Sequence, residues 1–184
     1  MTTTQAPNPG PTIDRIGECR VLRDVLSAPG IQTVEGRMLP LMAGNKIRTH
    51  IIEMAPGQYC HPHPHPTESL IYTLSGRWVF CTTENDEEVR IVINAGDMFH
   101  FVPDVPTGFE TPFAEGASIL IFKGDPGTYE EMYAGIAAAR DELAQDAANG
   151  APYTYADLPA DHPARVFGAS VAGRDPAHLN GATV

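Results

Sequence analysis

The chain has 184 residues, 42% of them hydrophobic, and a formal net charge of −11 at pH 7. This length suits one domain with an adequate core plus appendages, and the apolar fraction is ordinary for a globular protein. The negative charge argues against contacts with nucleic-acid phosphates or anionic membrane surfaces, so we expect neither as a partner.

The N-terminal segment is rich in threonine, proline and asparagine and lacks the basic region and apolar core of a secretory signal. We therefore expect residues 1–20 to be a flexible lead. The three cysteines, an odd number without C-x-x-C spacing, argue against a disulfide framework. No apolar run is long enough to span a bilayer. Together these features favour a cytoplasmic location.

From residue 21 to residue 124 the sequence predicts many short strands separated by turns. Seventeen glycines and seventeen prolines supply turn signals, and runs rich in β-branched and aromatic residues lie between them. This alternation indicates an all-β sandwich or barrel. The predicted strands include residues 45–54, 69–75, 77–83, 89–93, 98–102, 105–110 and 117–123.

The character of the sequence changes near residue 125. Thr128 can cap a helix with an acidic first turn, apolar residues then recur at helical spacing, and Asn149 with Gly150 forms a stop signal. The segment that follows is rich in alanine, proline and aspartate. Residues 125–184 are therefore predicted to be a C-terminal α-helix and an extended tail that pack on the barrel or on a partner subunit.

The most informative stretch alternates histidine and proline, with histidines at positions 61, 63 and 65. Alternate residues of an extended backbone project to one face, and the prolines stiffen the run. Imidazole is the commonest protein ligand for transition metals, so the run favours a metal site of His61, His63 and His65. A straight strand of this length spans about 13 Å, so convergence on one ion requires a bend. The alternative is a solvated loop.

The pair His63 and His65 is preceded by a glycine six positions earlier, followed four positions later by Ser69, and then by Gly76. This pattern resembles the first motif of the cupin superfamily, in which a glutamate takes the place of Ser69. The resemblance covers about residues 45–123 and implies a double-stranded β-helix, also called a cupin or jelly-roll barrel. One metal, bound by two histidines, a glutamate and a later histidine, usually lies at the open end of such a barrel.

The ligand positions of this chain depart from the family pattern. A second registration, through His61, His63 and Glu68, keeps the spacing from the histidines to the glutamate but needs a bulge for one extra residue. A shift of one residue turns a side chain to the opposite face of a strand, and both registrations stay open. The last histidine position of the family holds Thr107, and His100 is the nearby substitute.

The resemblance implies a small-molecule enzyme with a divalent metal (Fe, Mn, Ni, Cu or Zn) and dioxygenase, lyase, isomerase or cyclase chemistry. In this hypothesis the histidines hold the metal and Glu68 is a ligand or general base. The alternative is a metal-free barrel that binds or senses a small molecule. Because barrels of this family often pair, the resemblance also implies a homodimer. The candidate pocket residues are Ser69, Tyr72, His100 and Thr107.

Charged side chains also alternate along one predicted strand, at Lys46, Arg48 and His50. Such a row can be an anion-binding wall inside the barrel or the solvated outer face of an antiparallel sheet. The outer face is the more common arrangement, because antiparallel sheets usually leave one face in water. We therefore expect these three side chains to face outward.

Overall fold

A computed structural model describes residues 12–27, 30–85, 87–124 and 127–179. The α-helices are α1 (Tyr129–Ala148) and α2 (Pro163–Ala172), with 3-10 helices at Val25–Ser27, Tyr155–Asp157 and Pro176–His178. The strands are β1 (Ile13–Ile16), β2 (Cys19–Leu22), β3 (Ile31–Thr33), β4 (Gly36–Ala43), β5 (Arg48–Met54), β6 (Tyr59–His63), β7 (Ser69–Glu84), β8 (Glu87–Asn94), β9 (Met98–Phe101), β10 (Thr107–Glu110) and β11 (Ala117–Lys123).

A curled antiparallel sheet of nine strands forms the body of the molecule. Its strands follow the order β3-β4-β5-β11-β7-β10-β6, and β8 and β9 also pair with β7. The first half of β7 pairs with β9 and β11, whereas its second half pairs with β8 and β10. One long strand thus connects the two halves of the sheet. This arrangement, with a helix after the last strand, confirms the predicted all-β jelly-roll architecture.

A glycine bulge bends β7 where the sequence predicts a turn. Gly76 has a φ of 73°, and the pairing of β7 with β11 shifts register beside Ser118, leaving Leu74 as the extra residue. A Cβ at Gly76 would collide with the carbonyl oxygen of Gly116. Glycine is therefore required here, and the strand bends without ending because only one residue leaves the ladder.

The core lies on the inner face of the curled sheet. Trp78 is fully buried there, and its ring stacks on Phe109 with centroids 5.3 Å apart. The indole Nε1 donates a hydrogen bond of 3.0 Å to Thr73 Oγ1, so the polar edge of the ring is satisfied. The core therefore holds the strands that surround the cavity described below.

Helix α1 begins and ends as the sequence predicts. The Thr128 hydroxyl accepts a hydrogen bond from the amide of Glu131, and Asn149 is the C-terminal cap. The helix packs on β3 and β4 through Met132 and Leu143, which are buried. Neither α1 nor any other helix of the described residues combines the length and the apolar character needed to cross a membrane.

The termini differ from the sequence prediction. Of the predicted lead, residues 1–11 lie outside the described residues, and the segment beyond them forms the hairpin of β1 and β2, which turns at Gly17. The predicted extended tail contains α2. Its first residue is Pro163, and His162 Nδ1 accepts a hydrogen bond from the amide of Ala164. A proline at the first helical position fits a helix start, because its missing N–H would have no partner there.

Candidate metal site

A cavity of about 480 Å³ is lined by the curled sheet and by α1. Side chains from β5, β7, β9, β10 and β11 form one wall, and Met132, Ile136 and Leu143 of α1 form another. The histidines of the His/Pro run line the same space. The imidazoles therefore belong to a cavity lined by the sheet and not to a solvated loop.

Glu35, His63 and His65 each bring one ligand atom to within 4.8 Å of the others. Glu35 Oε1 lies 3.1 Å from His65 Nε2 and 3.5 Å from His63 Nε2. The carboxylate is only 8% exposed, while the histidine side chains are 18% and 29% exposed for His65 and His63. Two imidazoles and one carboxylate that converge in this way are a known ligand set for divalent iron, manganese and zinc.

An irregularity in β6 produces the bend that the sequence requires. The pairing of β6 with β10 shifts register between Thr107 and Phe109, and β6 ends at His63. His65 lies beyond the strand, and its ring centroid is 4.5 Å from that of His63. The His61 and His63 rings are 5.8 Å apart. The bend therefore brings together the second and third histidines more closely than the first and second.

Both imidazole rings of the group have fixed orientations. His63 Nδ1 lies 2.9 Å from the carbonyl oxygen of His61. A carbonyl only accepts hydrogen bonds, so Nδ1 carries a proton and Nε2 is the nitrogen available to a metal. The His65 ring packs edge-on against Phe101 and Phe109, with centroids 5.3 Å and 6.4 Å away. The rings are therefore oriented by their own surroundings.

The chemistry of the donor set fits a metal ion. His65 Nε2 is buried without a hydrogen-bond partner among the described residues, although Glu35 Oε1 is only 3.1 Å away. A buried polar atom without a partner costs about 1–3 kcal/mol. An ion between the three side chains would give this nitrogen a partner.

The electrostatics of the group keep its carboxylate ionised. Burial alone would raise the pKa of Glu35, but contacts with His63 and His65 outweigh burial and hold that pKa below its ordinary value. Contacts with the Cys60 thiol and with Glu35 raise the pKa of His63 to about 11. Glu35 and His63 thus form an ion pair without a metal. A metal ligand must be deprotonated, so an ion that binds here displaces the His63 proton.

The structure places three of the predicted site residues away from this group. Glu68 Oε1 and His100 Nε2 lie 2.8 Å apart as a pair whose side chains are 66% and 51% exposed, and Tyr72 is also exposed. The reason is strand alternation. Ser69 is buried and lines the cavity, so Glu68 and Tyr72, at odd spacing from it, face outward. His100 pairs with Leu70, which is also at odd spacing from Ser69, and so lies on the same outer face. This corrects the hypothesis of Glu68 as a ligand or base and of Tyr72 and His100 as pocket residues.

The remaining predicted residues lie at or near the cavity. His61 lines it but is exposed and is not part of the three-residue group, so a site of three histidines is replaced by two histidines and Glu35. Ser69 also lines it. Thr107 is buried and pairs with His63, and its hydroxyl lacks a hydrogen-bond partner within the described ranges.

Glu35 is the residue that the sequence analysis missed. It occupies the turn between β3 and β4, followed by Gly36 with a φ of 131°. A Cβ at Gly36 would lie 2.6 Å from the Glu53 carbonyl oxygen, so this turn sits tightly against β5. The available signal was weak, because a single glutamate before a glycine is typical of any solvated turn.

Comparisons with known proteins point to one family. The family described as Cupin domain matches residues 50–123, which include both histidines of the group. No protein of curated function matches the sequence. Solved structures similar to this chain include a Cupin 2 conserved barrel domain protein from Salinispora arenicola CNS-205, with 20% identity, 72% of this chain and 99% of that chain covered, and a TM-score of 0.48.

Two of the similar structures are of enzymes with a named activity. One is oxalate decarboxylase from Bacillus subtilis, with 18% identity over 56% of this chain and 29% of that chain, and a TM-score of 0.48. The other is the DMSP lyase DddQ from Ruegeria pomeroyi DSS-3, with 22% identity over 47% of this chain and a TM-score of 0.39. The chain covers 41% of the length of the lyase.

Proposed function

The chain belongs to the cupin superfamily, and on that premise we propose that it is an enzyme that binds a divalent metal through Glu35, His63 and His65. Its substrate is a small organic molecule that enters the adjoining cavity. The observation that carries the proposal is the convergence of three ligand atoms of the right chemistry within 4.8 Å of one another. The cavity volume, about 480 Å³, lies within the range of small-molecule sites.

The ligand set narrows the choice of metal ion. Two imidazoles and one carboxylate with open positions are typical of non-haem Fe(II) sites, and a carboxylate also suits Mn²⁺. When bound, the metal supplies a Lewis acid that polarises substrate oxygen atoms. Dioxygenase chemistry is therefore our first candidate, with lyase, isomerase and cyclase chemistry as the other classes.

The protein side chains have separate tasks in this proposal. Glu35 offers an ionised, buried carboxylate, and the His61 carbonyl orients the His63 ring through Nδ1. Phe101 and Phe109 limit the space beside His65 and keep water from that side of the site. The three side chains of the group would hold the ion, and all of them line the cavity that a substrate would enter.

Metal analysis of protein purified without an affinity tag tests the proposal. We expect near-stoichiometric Fe or Mn in the wild type and a loss of most of it in His63→Ala and His65→Ala. His61→Ala is the matched control, because the same chemical change lies in the same run but outside the group. Equal metal content in all three variants, or a metal-free wild type, would contradict the proposal.

A second candidate is a metal-free barrel that binds or senses a small molecule. The ion pair between Glu35 and His63 favours it, because the raised pKa of His63 lets the two charges compensate each other without an ion. The candidates differ in their response to a chelator. A bound metal stabilises the folded state, so its removal lowers the melting temperature. In the metal-free barrel the melting temperature stays the same.

Assembly and location remain predictions. We propose a homodimer, which the resemblance to cupins implies, and a cytoplasmic location, which three free cysteines without a disulfide favour. Sedimentation equilibrium of the full chain measures the first directly, as a mass of one or two copies of 19.8 kDa. Fractionation of cells that express the untagged chain measures the second.

A further inference from the structure

A row of polar side chains crosses three neighbouring strands at the cavity wall. Arg48 of β5 lies opposite Lys123 of β11, and Lys123 lies opposite Ser69 of β7. All three side chains line the cavity. The next row along the same strands also lines it and consists of His50, Ile121 and Ile71.

Two cations lie side by side on the inner face of the sheet. Neighbouring strands are about 4.8 Å apart, and like charges directly opposite each other destabilise a sheet. Both residues also have other interactions in the protein. Because both line the cavity on neighbouring strands, a carboxylate that enters the cavity can be attracted by both cations at once.

The positive charges of Arg48 and Lys123 act on a histidine that lines the cavity. The pKa of His50 is lowered to about 4, mainly by burial. The charge of Glu35 acts in the opposite direction and raises this pKa, whereas the positive charges of Lys123 and Arg48 lower it further. His50 lies one inward-facing position beyond Arg48 on β5. The two positive charges therefore act on a side chain that lines the cavity.

We propose that Arg48, Lys123 and Ser69 form an anion-recognition wall, and that the molecule processed in this cavity is a small organic acid whose carboxylate binds there. The guanidinium fork and the ammonium group give charge-assisted hydrogen bonds to the carboxylate, and the Ser69 hydroxyl is a third donor. The inference rests on the proposed function, because it names the substrate class of the same site.

The acidic groups that line the cavity occupy other positions. Glu35 is paired with His63 and His65, while Glu142 and Asp146 are exposed residues of α1. The sheet wall formed by β5, β11 and β7 is thus the cationic side of the cavity. Since the chain has a formal net charge of −11, attraction of an acid must come from such a local arrangement.

The placement reverses a sequence expectation. Arg48 and His50 face the cavity, although the sequence favours the outer face for this row, and only Lys46 is exposed ahead of β5. Lys46 is therefore a natural control: it carries the same charge, lies on the same chain segment and is not among the residues that line the cavity.

Calorimetry with matched neutral and anionic probes tests the proposal. The probes are benzoate with benzamide and hexanoate with hexanamide, titrated into the full-length untagged protein with its metal content measured in parallel. We expect each acid to bind at least about tenfold more tightly than its amide, since hydrogen bonds to charged groups contribute more than neutral ones. Lys123→Met and Arg48→Gln should weaken acid binding by about tenfold or more and leave amide binding unchanged.

The controls separate recognition from folding. Lys123→Arg keeps the charge and should retain acid binding, Lys46→Met should bind acids as the wild type does, and melting temperatures show whether each variant folds. Equal affinity for acid and amide, no acid binding, or an effect of Lys46→Met as large as that of Lys123→Met would overturn the proposal. If the protein binds no metal but prefers acids to amides, the anion wall is supported and the metal-dependent function is overturned. If it binds metal but does not prefer acids to amides, the metal-dependent function is supported and the anion wall is overturned.

Discussion

Glu35 Oε1 lies 3.1 Å from His65 Nε2, and this contact joins the turn between β3 and β4 to the end of the His/Pro run. The position at which the cupin motif carries its glutamate is occupied here by Ser69, a cavity residue without a charge. The carboxylate of the group comes instead from a different turn. In the proposed site, a carboxylate from another part of the chain thus takes the role of the motif's glutamate, beside the two histidines of the motif.

Glu35→Gln tests whether this carboxylate is a ligand. The substitution keeps the shape of the side chain and removes its charge, so we expect at least a hundredfold loss of Fe²⁺ or Mn²⁺ affinity, about 3 kcal/mol. Competition with a chromophoric chelator measures it. Glu68→Gln is the matched control, because Glu68 is exposed and pairs with His100. A similar loss in both variants, or none in either, would show that the ligand is elsewhere.

The sequence predicts the local features of the site better than it predicts which distant residues come together there. Alternation and the prolines indicate inward-facing imidazoles, and the distance along the run requires the bend that β6 shows after its bulge. The sequence could not show that Arg48 faces the cavity. A strand has two faces, and the sequence of one strand does not say which of them is the inner face. Glu35 approaches His65 only because a turn that is distant in sequence packs against the His/Pro run. The spacing of residues along the sequence does not predict such a contact.

The pH dependence of stability should reveal buried His50. Burial, the largest cause, lowers the pKa of this side chain from 6.5 to about 4, so the unfolded chain takes up the proton first. The stability from neutral His50 is therefore complete above pH 6.5 and is lost as the pH falls through about 4. At 1.36 kcal/mol per pKa unit this amounts to at most roughly 3 kcal/mol.

Urea unfolding of the chelator-treated protein between roughly pH 7 and pH 4 measures this contribution. We expect the free energy of unfolding to fall less steeply with acid in His50→Gln than in the wild type. Met98→Gln changes an exposed side chain that has no charge and should follow the wild-type profile. Parallel profiles for all three proteins would mean that His50 takes up its proton equally in the folded and unfolded states.

A buried network attaches the C-terminal segment to the barrel. Glu110 is fully buried, accepts a 3.0 Å hydrogen bond from the Tyr155 hydroxyl, and pairs with Arg90 at the same distance. Tyr155→Phe leaves one carboxylate oxygen without this donor, which should lower the free energy of unfolding by about 1.5–3 kcal/mol. Tyr153→Phe is the control, since that buried hydroxyl has no hydrogen-bond partner in the part of the chain that the structure describes. Equal losses would indicate a general effect of aromatic packing.

Gly76, two residues beyond the bulge at Leu74, should be intolerant of any side chain. Gly76→Ala places a Cβ against the Gly116 carbonyl oxygen and forces a φ of 73° on a non-glycine residue, so two penalties add. We expect a loss of about 3 kcal/mol or more in urea unfolding. Gly96→Ala carries only the conformational penalty, because its φ is 93° and no described atom lies within 4 Å of the new Cβ. It should cost roughly 1–2 kcal/mol. If the two variants lose the same stability, the collision at Gly116 contributes nothing and β7 can bend without glycine.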